Sequence, residues 1–96
     1  MGRGLIKIKD LYFEWSTVVD APVSGGMTLD QLTEYTRFRQ GQDGVDELPN
    51  RLKRIEQTGT SFYDDTLADL LACNRAGAGE SHLSAEEIYQ KFGPDK

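Results

Sequence analysis

The sequence predicts a small single-domain α+β protein: an N-terminal two-stranded antiparallel β-hairpin followed by four short helices. Three observations predict it. Residues 5–19 alternate apolar with polar side chains or gather β-branched and aromatic ones, as half-buried strands do. From residue 28 onward apolar residues recur three and four apart, the period of a helix with one buried face. Helix-capping signals punctuate that second stretch. The chain has 96 residues with no break in composition, so it divides as one domain, 1–96. Its parts are a hairpin at 5–19, a loop at 20–27, a helical part at 28–92 and a tail at 93–96.

In the first strand, Ile6 and Ile8 alternate with Lys7 and Lys9, so isoleucines and lysines take opposite faces of the pleat. The second strand runs from Tyr12 to Val19, with Phe13 and Trp15 sharing a face. A two-stranded hairpin is marginal alone, so helices are expected against it. Asp20-Ala21-Pro22-Val23-Ser24-Gly25-Gly26 is expected to be irregular, because Pro22 and the glycines interrupt any regular element.

Thr28 and Gln31 form a capping box, with Met27 and Leu32 spaced as a hydrophobic staple. Leu29, Leu32, Tyr35 and Phe38 then mark an inward stripe, and Gly41-Gln42-Asp43-Gly44 is expected to end this helix. A second helix carries Val45, Leu48, Leu52 and Ile55. It places Pro49 in its first turn, where a missing N–H costs nothing, and exits at Gly59. A third is capped by Asp64-Asp65 and runs through Leu67, Leu70 and Leu71 to Asn74, with Gly77 as its stop. The fourth opens on a second capping box, Ser84 with Glu87, stapled by Leu83 and Ile88. It buries Ile88, Tyr89 and Phe92 and closes at Gly93-Pro94.

The formal net charge of −5 disfavours broad binding of nucleic-acid backbones. Residues 60–96 carry three basic and seven acidic groups and hold most of the excess. Several of those acids fall in first turns of helices, where they complement the dipole. No apolar run reaches the ~20 residues that cross a bilayer, and the start lacks the apolar stretch of a secretory signal. A cytoplasmic protein is expected. The lone cysteine, Cys73, forms no internal disulfide and is expected to be buried and inert.

No catalytic or metal-binding constellation stands out. His82 has no second histidine and no neighbouring cysteine to share a ligand with. Most of Asp64, Asp65, Asp69, Glu86 and Glu87 are explained by helix starts. No glycine cluster follows a strand as a phosphate loop would. No cofactor is implied, and the chain is expected not to be an enzyme. Two basic groups, Arg37 with Arg39 and Arg51 with Lys53 and Arg54, make nucleic-acid binding the alternative function. The leading expectation is a surface for another protein. Its candidate contacts are the hairpin aromatics Tyr12 and Trp15, together with Asn74, Arg75 and Glu80 at a helix end. An exposed hairpin edge would also accept an added strand, or pair two copies of the chain as a homodimer.

Several words of the sequence carry a resemblance. They are Phe13-Glu14-Trp15-Ser16-Thr17-Val18-Val19-Asp20-Ala21-Pro22-Val23, Gly26-Met27, Leu48-Pro49 with Arg51-Leu52 and Arg54, Gly59-Thr60-Ser61, and Asn74-Arg75-Ala76-Gly77 followed by Glu80. From about Lys7 to Phe92 the chain resembles small accessory proteins of actinobacteriophages, the mycobacteriophage type in particular. The family's usual form has a larger residue where Gly25 stands. The resemblance implies a bacterial cytoplasm as the setting and a host or phage protein as the partner. It implies no activity and no site residue.

Overall fold

A computed structural model describes residues 3–63, 66–77, 79 and 81–93. The protein is α+β, with a three-stranded antiparallel sheet in the order β1-β2-β3. Strand β1 (Arg3–Ile8) pairs with β2 (Leu11–Ser16), setting Ile6 against Phe13 and Gly4 against Trp15. Lys9 and Asp10 make the turn, with Lys9 in the left-handed region at φ 57°. From there Lys9 Nζ reaches Glu86 Oε1 at 2.7 Å, and the Tyr89 hydroxyl donates to Asp10 Oδ1 at 3.2 Å.

The second strand stops at Ser16, and Thr17–Asp20 turn back into β3 (Ala21–Pro22). A third strand therefore stands where an irregular loop was expected. Pro22 is tolerated because β3 is an edge strand, where its missing donor breaks no ladder. Beyond it, Val23 donates its N–H to the Glu14 carbonyl at 2.7 Å.

Helix α1 spans Leu29–Thr58, thirty residues in which two separate helices and a linking turn were expected. The expected capping box at Thr28 and Gln31 is present. A single residue departs from helical geometry, Gly41 at φ 72°, ψ −163°, a conformation open essentially to glycine alone. Gly44 is buried inside the helix, where an added Cβ would lie 3.1 Å from the Thr36 methyl, so it packs and does not terminate. Pro49 also lies within the helix, eight residues past the break. The first turn expected for it is therefore displaced, and the Val45 carbonyl four residues earlier receives no N–H from it. Gly59 ends α1 at φ 84° and passes directly under Leu67, whose Cβ would stand 2.6 Å from any added methyl.

Helix α2 (Leu67–Ala72) is capped by Thr66 with Asp69 in a third capping box. The expected caps, Asp64 and Asp65, lie outside the described residues. Helix α3 (Ala85–Phe92) has the expected box of Ser84 and Glu87. The four expected helices thus resolve into one long interrupted helix and two short ones.

Both faces of the sheet are covered. Ile6, Ile8, Leu11, Phe13 and Trp15 join Leu70, Ala76 and Ile88 in one core, under α2 and α3. Leu5, Met27, Leu32, Leu48 and Ile55 form a second core under α1, with Tyr12, Tyr35 and Leu52 beside them. The two sets alternate along each strand, so the pleat alone assigns them. Gly4, opposite Trp15, leaves the room that the Phe62 ring occupies.

The outer sides of β1 and β2 are engaged too. Along β1, Lys7 N–H donates to the Gly59 carbonyl at 3.0 Å, while Leu5 binds the Ser61 backbone and the side chains of Thr60 and Ser61. On the other side Tyr12 and Met27 exchange both backbone bonds at 2.8 Å. The hairpin edges expected to accept a strand or a second copy thus already bond within the chain at Leu5, Lys7 and Tyr12.

Candidate partner-binding face

The nominated contacts do not form one site. Trp15 is fully buried, at 0% exposure, and offers nothing to a partner. Tyr12 is half-buried against α1, with Lys7 Nζ over its ring at 5.3 Å. Asn74 is buried, at 3% exposure. Its Nδ2 donates to the carbonyls of Leu71 and Leu83, and its Oδ1 accepts from the N–H groups of Ala76 and Leu83. It is a brace between α2 and the strap that leads into α3. Glu80 lies outside the described residues. Cys73 is exposed, contrary to expectation, because it caps α2 where the helix leaves the core.

Arg75 is a brace as well, for the turn between β2 and β3. Its N–H donates to the Asp20 carbonyl at 2.8 Å, its Nε lies 3.2 Å from Asp20 Oδ2, and its Nη2 donates to the Val18 carbonyl at 3.0 Å. Asp20 is held there at φ 55°. The outcome is a fixed turn that leaves Val18 75% exposed, with Val19 beside it.

The five basic residues of the alternative reading are dispersed. Arg37 Nη1 pairs with Glu34 at 2.6 Å. Arg54 donates to the Ser61 carbonyl at 2.9 Å and stacks on Tyr63 at 4.1 Å. Arg51 is half-buried, and that burial pushes its guanidinium below its ordinary value while Glu14 draws it back up. Lys53 is exposed on another side of the helix. Arg39 lines a concave surface.

That surface was not anticipated. Glu14 follows Phe13 on the opposite face of β2 and is buried, at 5% exposure, beneath α1. Tyr35 donates its hydroxyl to Glu14 Oε1 at 2.5 Å, Arg3 Nη1 stands 3.6 Å from the same oxygen, and Arg39 Nη1 donates to the Tyr35 hydroxyl at 3.3 Å. Burial, followed by the bond to Glu14, holds the Tyr35 phenol above its usual range. One carboxylate is thereby surrounded by a phenol and the charges of Arg3, Arg39 and Arg51. A polar residue among the aromatics of β2 was the available signal, but naming its partners required knowing which helix covers it.

Around this cluster runs an open groove of about 530 Å³, lined by Val23–Met27 on one side and Gln31, Tyr35 and Arg39 on the other. A smaller recess of about 220 Å³, lined by Arg3, Glu14, Arg39 and Gln40, continues it. The loop wall is fixed from behind, since Gly26 donates its N–H to the Phe92 carbonyl at the end of α3. Gly25 suits that close approach, because an added Cβ would lie 3.3 Å from the same carbonyl. Phe38, next to Arg39 along α1, is 88% exposed. It was expected inside. Steps of three residues fall about 60° short of a full turn each, so a stripe of 29, 32, 35 and 38 winds off the buried face. The buried pair is Leu32 and Thr36.

Tyr35→Phe is expected to cost about 1.5–3 kcal/mol, the range for a hydrogen bond to a charged group. The sign of its pH dependence follows from the raised phenol. The wild-type stabilisation is complete below pH 10.0, the ordinary tyrosine value, and is lost as pH rises through the folded-state value. Urea unfolding at neutral and at strongly alkaline pH should therefore show a smaller alkaline loss in the variant. An equal loss in both proteins would contradict the assignment.

No family model, curated protein or solved structure matches this chain. The architecture defines it as an α+β domain with a covered three-stranded sheet and a groove along its long helix. Among the described residues, no group of three or more His, Cys, Asp or Glu is placed to hold a metal ion. Among them also, no helix is long and apolar enough to cross a membrane.

Proposed function

We propose that this chain is a non-enzymatic protein-interaction module whose contact face is the groove between Val23–Met27 and α1. The observation that carries this reading is the contrast between the groove's floor and its rim. In the floor, Glu14 and Tyr35 satisfy each other and so supply stability, while His82 is exposed and far along the chain in a loop. Val23 and Arg39 line the groove with Val23 in solvent, and Phe38, the neighbour of Arg39 in α1, is exposed too, a mixture of aromatic, aliphatic and guanidinium groups of the kind that anchors protein contacts.

The resemblance to small actinobacteriophage proteins supports a host factor, or a second phage protein, as the partner. Nucleic acid is the weaker reading, since Arg37, Arg51 and Arg54 are each engaged within the chain. Affinity capture from an actinobacterial lysate, followed by hydrogen exchange on the recovered complex, tests the proposal. Protection is expected over residues 18–26 and 31–41. Salt-sensitive affinity for duplex with no reproducible protein partner would reverse it.

A further inference from the structure

We infer, resting on the reading above, that the partner contributes an acidic segment, with a carboxylate seated on Arg39 and an apolar side chain against Phe38 and Val23. Charge complementarity carries this. Of the two guanidinium groups that line the groove and its recess, Arg3 is matched to Glu14, and away from the groove Arg37 is matched to Glu34 and Arg75 to Asp20. Arg39 makes no ion pair among the described residues. It lies 3.3 Å from the Tyr35 hydroxyl and 5.7 Å from the Tyr35 ring, both neutral, and it lines both the groove and the recess beyond.

Glu14 does not cancel it, because that carboxylate is already shared by Arg3 and Tyr35 and lies in the field of Arg51. A local positive excess thus persists in a chain of net charge −5. A guanidinium held by its own Tyr35 is preorganised to receive a carboxylate in fork geometry. A single guanidinium in the groove is too few for a phosphate backbone, whose affinity comes from many neutralised phosphates. The exposed ring of Phe38 beside it asks for an apolar neighbour. An acidic, leucine-bearing peptide meets both requirements.

The test uses the full chain and a short fluorescein-labelled peptide of alternating leucine and aspartate, with a leucine–lysine peptide as its counterpart. Binding is read by fluorescence anisotropy. The acidic peptide should bind, and the basic one should not. Arg39→Glu should weaken binding about tenfold or more, and added salt should weaken it in the wild type. Phe38→Ser should also weaken it. Arg37→Glu makes the same charge change on the far side of the helix and should leave affinity within about twofold of wild type. Unchanged circular dichroism confirms that each variant is folded.

Equal binding of both peptides, no binding of the acidic one, or equal losses from Arg37→Glu and Arg39→Glu would each overturn the inference. So would self-association that blocks the groove, seen by sedimentation. A lysate partner retained by both Arg39→Glu and Phe38→Ser would leave the interaction module standing and remove this occupant.

Discussion

Trp15→Ala is expected to lower the unfolding free energy by about 3–5 kcal/mol, the range for emptying a large aromatic site. That is a large share of the ~5–15 kcal/mol that holds a typical domain together. Trp15 sits at 0% exposure on β2 between Gly4 and Pro22, in the core beneath α2 and α3. The space cannot close by local collapse, because the sheet is bonded on both sides of it. Denaturant melts followed by circular dichroism measure the loss, and a change below about 1 kcal/mol would contradict the packing.

Trp15→Phe should cost far less, about 1–2 kcal/mol. The indole Nε1 is buried without a hydrogen-bond partner among the described residues, so the phenyl ring loses volume but also removes an unsatisfied donor. Trp15 is the single tryptophan, and its emission should be blue-shifted and shielded from quenchers until unfolding.

Asn74→Ala should cost about 2–4 kcal/mol for a different reason. It strands the Leu71 and Leu83 carbonyls and the N–H groups of Ala76 and Leu83 at a position 3% exposed, and each unpaired buried group carries about 1–3 kcal/mol if water cannot reach it. Asn74→Asp separates the two halves of the amide. It keeps the acceptor but turns an oxygen toward the carbonyls at 2.6 and 2.7 Å that Nδ2 now serves. The new carboxyl should therefore have a raised folded-state pKa. Protonation supplies a donor, so stability should be higher at acidic than at neutral pH and fall as pH rises through that value. A variant insensitive to pH would show that Asn74 is not the brace described.

Several of the words that carry the resemblance have a place in the fold. Phe13 and Trp15 fill a core, Gly59-Thr60-Ser61 covers the β1 edge, and Asn74 and Arg75 brace two junctions. The groove draws on residues mostly outside those words, among them Arg3, Gln31, Tyr35 and Arg39. Arg75, among the nominated contacts, fixes the turn at Asp20 that leaves Val18 and Val19 exposed.

The sequence by itself determined that this is an α+β domain, that Thr28 and Ser84 open helices, and that the chain leaves α1 at Gly59. Those features rest on interactions between residues a few positions apart, which are visible in spacing and residue type. Only the tertiary structure decided that both sheet faces are covered, that Pro22 pairs as an edge strand, and that Pro49 lies inside a helix. It alone also decided that Phe38 points outward and that Glu14 meets Tyr35 across 21 residues. Side-chain periodicity names the two faces of a strand or helix, but which face meets another element depends on where distant segments pack. The groove consists of such distant meetings, so it became legible only once α1 lay across the sheet.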